Sequence, residues 1–137
     1  MVGPKSPWQL YGAGSVGSQA LLGIPRLLAL RDDAVLGPLS RVWPFETAIA
    51  GEDLSAPRGP LIVHAEIYPS FIPPSPFAEV KDAGQVRALA EHFARLDDEG
   101  QLASLFDLSA LPGEDQEAVV RVEGWILGVR PEEPSAT

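Results

Sequence analysis

Three groups of residues in this chain have the types and spacing for chemistry. The first is Gly12-Ala13-Gly14-Ser15-Val16-Gly17, which fits G-x-G-x-x-G and precedes a helical pattern. In a dinucleotide-binding fold such glycines let the backbone approach a pyrophosphate at a helix N-terminus. That reading needs a hydrophobic strand just before the glycines and an acidic residue at the end of the following strand. Here the lead-in is Lys5-Ser6-Pro7-Trp8-Gln9-Leu10-Tyr11, short and broken by proline, and Asp32 and Asp33 fall at a helix end. The run reads better as a glycine turn that lets the helix pack closely, with no cofactor-binding residue assigned to it.

The second group is a set of glutamates at the ends of apolar segments. Glu46 closes Trp43-Pro44-Phe45-Glu46, and Glu66 stands near the carboxyl end of the apolar run 61–68. A carboxylate inside an apolar strand is costly unless it is paired, hydrogen-bonded or bound to metal. Glu123 falls on the edge of the apolar stripe of the last helical pattern, from where it could point toward the strand ends. Two or three convergent carboxylates, without cysteine or clustered histidine, suit Mg²⁺ or Mn²⁺. Such ions activate water for phosphodiester hydrolysis. On this reading Glu66 and Glu46 are the catalytic pair, and Glu66, Glu46 and Glu123 are the metal ligands. The alternative from the residues alone is that Glu66 pairs with a buried Arg or caps backbone N–H groups, with Glu46 and Glu123 solvated.

The third group is aromatic or basic. His64 has the strand parity of Glu66 and Tyr68, so the three would share a face; His64 could act as a base or a phosphate ligand, or be a satisfied core residue. His92 falls outside its helix stripe and reads as a surface residue. Trp8, Tyr11 and Trp43 could stack bases, but without basic neighbours they read as core or interface anchors. Lys81 could steady a phosphate or be solvated. No G-x-S-x-G elbow supports a serine hydrolase.

Local patterns say what must position these residues. Residues 1–14 read as an irregular lead-in. Ser15 is a candidate N-cap for a helix with Val16, Ala20, Ile24 and Leu28 at every fourth position, joined by Leu21 and Leu27. Pro25 either kinks this helix or opens a second one. Residues 41–47 read as a short strand, at an edge because of Pro44, and 48–60 as a loop. Residues 61–68 form the clearest strand, apolar enough for both faces to be covered. Four prolines (69, 73, 74 and 76) make a stiff exit. The best helix spans about residues 82–97, with Asp82 and Gln85 resembling a capping box, Val86, Leu89, Ala90, Phe93 and Leu96 as its stripe, and Gly100 as its stop. A turn near 101–106 is anchored by Leu102, Leu105 and Phe106. A last helix, about 114–127, has an acidic first turn and the stripe Ala118, Val119, Val122, Trp125 and Ile126. Residues 131–137 read as a disordered tail. Residues 15–130 are thus expected to form one α/β domain with two strands flanked by helices. So small a sheet around so apolar a strand predicts further strands from elsewhere.

Composition narrows the function classes. The 137 residues include no cysteine, so there is no disulfide framework, zinc–thiolate site or cysteine nucleophile. The formal charge is −9, with no basic run, which argues against a protein that binds duplex nucleic acid by charge alone. Nucleic acid could still be met through a divalent metal held by carboxylates. No apolar stretch approaches the ~20 residues that span a bilayer. The start MVGPKSPWQL lacks the apolar core of a secretory signal, so a cytoplasmic protein is expected. Glycine (13) and proline (14) make up about one residue in five, which limits regular structure.

Several segments together resemble a known family. They are Gln9-Leu10-Tyr11-Gly12-Ala13-Gly14-Ser15-Val16-Gly17 running on to Pro25, Arg41-Val42-Trp43-Pro44-Phe45-Glu46-Thr47, Ala65-Glu66-Ile67-Tyr68-Pro69-Ser70, Val80-Lys81-Asp82, and Glu123-Gly124-Trp125-Ile126-Leu127-Gly128. Over roughly residues 5–130 the chain resembles an uncharacterised bacterial family described as predicted nucleases of RNase-H-like fold. Some relatives carry cobalamin-biosynthesis labels. The resemblance implies a five-stranded mixed sheet flanked by helices and an acidic Mg or Mn site fed by several strands. Glu66 matches the acidic position of the Glu-Ile-Tyr-Pro segment, Glu46 that of Trp-Pro-Phe-Glu, and Glu123 the acidic residue before Gly-Trp. Family members open with a strand bearing Asp-Trp-Ser-Ala, which has no counterpart here. The resemblance therefore implies a partial RNase-H-like fold, the C-terminal part of a larger hydrolase. Such a part would be inactive alone and would need the missing half or another chain to complete its sheet. The rival expectation is a non-catalytic assembly module, a homo-oligomer or a hetero-complex, whose strand pairs with a partner chain. A role in tetrapyrrole metabolism is implied by the labels alone.

Overall fold

The computed structural model describes residues 10–11, 17–55, 59–74 and 80–130. Several sequence expectations lie outside them: the lead-in 1–9, Trp8, the glycine motif through Ser15 and Val16, and the tail 131–137. The described residues form a mixed α/β structure of three helices and a small two-stranded parallel sheet, with one further helical turn. Its contacts divide it into two units, 1–40 and 41–137.

The first unit is built on helix α1 (Gly17–Arg31). Pro25 lies inside it, and the helix runs on as one element. Arg31 in its last turn suits the negative end of the helix dipole. The expected apolar stripe does form on a helix, but its residues stay exposed: Leu21, Ile24, Leu27 and Leu28 all face solvent in part. The chain then turns on Asp33, whose carboxylate accepts the N–H groups of Val35 (2.8 Å) and Leu36 (2.9 Å). Those two bonds, Leu36 first, hold the Asp33 carboxyl below the usual carboxylate range. A 3₁₀ turn, Gly37–Leu39, follows.

Strand β1 (Ser40–Val42) begins at the boundary and pairs with β2 (Ile62–His64) in the second unit. The Trp43 N–H donates to the His64 carbonyl oxygen at 3.0 Å. The expected strand 41–47 is thus cut short. Its second half turns back through a cis Trp43–Pro44 bond, and the Glu46 N–H closes the turn on the Val42 carbonyl oxygen at 2.8 Å. The expected strand 61–68 is also shorter. Beyond His64, among the described residues, Glu66 alone pairs, in a parallel bridge with Ile126 that is closed by the Leu127 N–H on the Glu66 carbonyl oxygen at 2.8 Å. Neither face of β2 is fully covered, since Ile62, Val63 and His64 are all half-buried. The loop 48–60 contains one helical turn, α2 (Glu52–Ser55). A 3₁₀ turn, Pro69–Phe71, opens the proline-rich exit.

Helix α3 (Lys81–Asp98) lies within a residue of its expected span. Its N-cap is Val80, without a side-chain bond. Asp82 therefore sits inside the first turn, where it acts on the helix dipole rather than as the cap. The buried arc runs through Gly84, Ala88, Leu89 and Leu96, with Phe93 half-buried. At about 100° per residue Val86 and Ala90 fall beyond its edge, and both are exposed. Gly100 ends the helix as expected. Its φ is +69°, its N–H donates to Asp97, and the Gln101 N–H donates to Leu96 at 2.7 Å, the bond pair of a Schellman motif. A 3₁₀ turn over Leu102–Phe106 follows.

Helix α4 (Gly113–Ala118) has Glu114 and Asp115 in its first turn, as expected, and runs on as a π-helical turn, Val119–Glu123. It stops short of residue 127 because Gly124 adopts φ +70°, ψ −172°, outside any helical region. Val119 is buried, Val122 is exposed, and Trp125 and Ile126 are half-buried.

The second unit has one core of Trp43, Phe106, Leu108, Leu111, Val119 and Leu127. Trp43 sits edge-to-face on Phe106 (ring centroids 5.6 Å apart, planes at 86°), and its indole N–H donates to the Phe106 carbonyl oxygen at 3.2 Å. Both arrangements suit a buried tryptophan, whose N–H must find an acceptor. Trp43 is therefore a core anchor and not an exposed stacking surface. Val63, Ala65, Leu102, Leu105 and Phe93 pack against this cluster, which attaches β2 and α3 to it.

Candidate functional site

Parallel pairing fixes where the glutamates stand. Trp43 and His64, the first residue past β1 and the last of β2, are joined by the bond already described, so the two carboxyl ends coincide. Glu46 follows one strand and Glu66 the other, at the same end of the sheet. In open parallel sheets ligands bind outside the carboxyl ends of the strands. The Glu66–Ile126 bridge brings in the segment that follows Glu123.

The side chains differ in what they do there. The Glu46 carboxylate accepts the Val42 N–H at 2.9 Å, while its own N–H bonds the Val42 carbonyl oxygen. Its local job is to close the turn after β1, as a side-chain cap would. Glu66 is exposed, and its carboxylate takes no hydrogen bond among the described residues. It therefore escapes the burial cost that singled it out in the sequence, because the chain leaves the strand at Ala65. Glu123 is exposed at the end of the π-helical turn. Among the described residues no group of three or more His, Cys, Asp or Glu side chains could hold a metal ion. Among the described residues the three glutamates thus do not by themselves form a complete Mg²⁺ or Mn²⁺ ligand set. His64 is half-buried in β2, and Tyr68 is part-exposed after it. His92 is half-buried on α3, with its ring 5.4 Å from that of Phe93 and its Nδ1 3.3 Å from the Arg95 guanidinium. Both contacts lie within its own helix.

Two aromatic residues at this end were not singled out in the sequence. The Phe45 ring lies over Gly124, where a Cβ would come within 3.2 Å of its Cζ. The Phe71 ring lies over Gly128, where a Cβ would come within 3.6 Å of its Cε1. Both rings are nearly half-exposed, at 46% and 45%. The spacing Gly124-x-x-x-Gly128 was the available signal, since glycines placed this way leave room for a ring on the backbone. Beside Glu46, the Thr47 hydroxyl oxygen is buried without a hydrogen-bond partner. Elsewhere some charged side chains form ordinary surface pairs, such as Arg95–Glu99 at 3.0 Å and Arg121–Glu117 at 2.8 Å, both one helical turn apart. Among the described residues no helix is long and apolar enough to cross a membrane.

Comparison with protein-family models, with curated proteins and with solved structures found no match.

Proposed function

We propose that this chain is an assembly module whose small parallel sheet is completed by a strand from another chain, in the simplest case a second copy. The observation that carries this is the state of β2. Its three residues, Ile62, Val63 and His64, are half-buried throughout, in a sheet that has two strands among the described residues. Among the described residues the sheet stops at two strands, and the edge of so small a sheet is a template for strand addition. Static light scattering on the purified chain tests it. The expected result is a mass above the 14.6 kDa monomer that falls toward it on dilution. A monomer at every concentration up to about 1 mM, where even a millimolar Kd would show, overturns self-completion.

A second reading is supported by the common carboxyl end of the two strands. In it Glu66 leads, and Glu46 and Glu123 assist, at a phosphoryl-transfer site of RNase-H-like type served by Mg or Mn. The added strand supplies the carboxylate that this chain lacks. The chain alone then has little or no nuclease activity. Robust Mg²⁺-dependent cleavage of DNA or RNA by the purified monomer, lost in Glu66→Gln, overturns the assembly requirement. Absence of cleavage and of Mn²⁺ binding in a completed assembly removes the metal reading and leaves the module.

A further inference from the structure

We draw no further inference here: the strongest candidate, the exposed aliphatic face of helix α1 formed by Leu21, Ile24 and Leu28, is an apolar helix face without a partner among the described residues, and nothing in the structure shows what covers it.

Discussion

Gly51→Ala is the sharpest test of how the second unit holds together. Gly51 is buried, has φ +66°, and starts the helical turn α2 by accepting the Leu54 N–H at 3.0 Å. A Cβ on it would meet Phe106 three times: its Cβ at 3.1 Å, its carbonyl carbon at 3.2 Å and its carbonyl oxygen at 3.2 Å. Carbon pairs prefer about 3.5–4.0 Å. Phe106 cannot give way easily, because its ring is packed against Trp43 and its carbonyl oxygen accepts the Trp43 indole N–H.

Two costs therefore add in this variant, and a second glycine separates them. Gly100 has φ +69°, and a Cβ there would meet nothing within 4 Å. Gly100→Ala thus carries only the left-handed backbone cost, roughly 1–2 kcal/mol. That is partly offset by about 0.4–1 kcal/mol from the lower entropy of the unfolded chain. Gly51→Ala carries the same balance plus an overpacking cost of about 1–3 kcal/mol. The expected difference between the two variants is therefore at least about 1 kcal/mol, with Gly51→Ala the less stable. Urea unfolding followed by tryptophan fluorescence measures it, since Trp43 reports on this contact. Equal losses in the two variants would refute the close packing of Gly51 on Phe106.

Two further outcomes follow from single polar groups. Thr47→Val replaces a buried hydroxyl that has no partner with a group of the same shape. Stability should hold or rise, and a loss beyond about 1 kcal/mol in the same urea assay would mean that the hydroxyl is satisfied in solution. Asp33 has its carboxyl lowered by the Leu36 and Val35 N–H bonds, so its share of the turn's stability is complete above the unfolded pKa and is lost as pH falls through the lower folded value. The Val35 and Leu36 amide resonances should titrate together, with a midpoint below the ordinary Asp value of about 3.9. A midpoint at or above that value would show that the turn is not held by this carboxylate.

What the sequence made legible was the part governed by local rules. Helix α3 was readable because its apolar period, acidic first turn and terminal glycine all agree, and local agreement of that kind leaves little for tertiary contacts to change. Its buried face was set one step around the helix because that choice depends on what packs against it. Trp43 was readable as an anchor from the absence of basic neighbours. Both strands were overread for a common reason. An apolar run reports that a segment is covered, but it does not report how far the ladder runs, and Pro44 and the departure at Ala65 end the pairing early. The last helix was overread at its C-terminal end because Trp125 and Ile126 continue a helical stripe. The positive φ of Gly124 ends the helix before them, and Ile126 becomes the bridge partner of Glu66.

The site glutamates divide by what the fold asks of them. Position 46 needs an acceptor for the Val42 N–H, and that requirement is met by a carboxylate or an amide alike. A role in turn closure therefore explains an oxygen at 46 without explaining its charge. Glu66 and Glu123 are exposed, and neither side chain is used by a hydrogen bond or ion pair among the described residues. An exposed, unpaired carboxylate adds little to folding stability. At Glu66 the backbone does the structural work, through its bridge to Ile126, and the side chain is left over. Under the proposed assembly the carboxylate at 66 would be available to the completing strand, whether that strand brings cations or further carboxylates around a metal. A completing strand bearing Lys or Arg would serve assembly alone. One bearing Asp or Glu beside Glu66 would repel it unless a divalent ion came between, so the charge of the strand that joins β1 and β2 separates the two proposed functions.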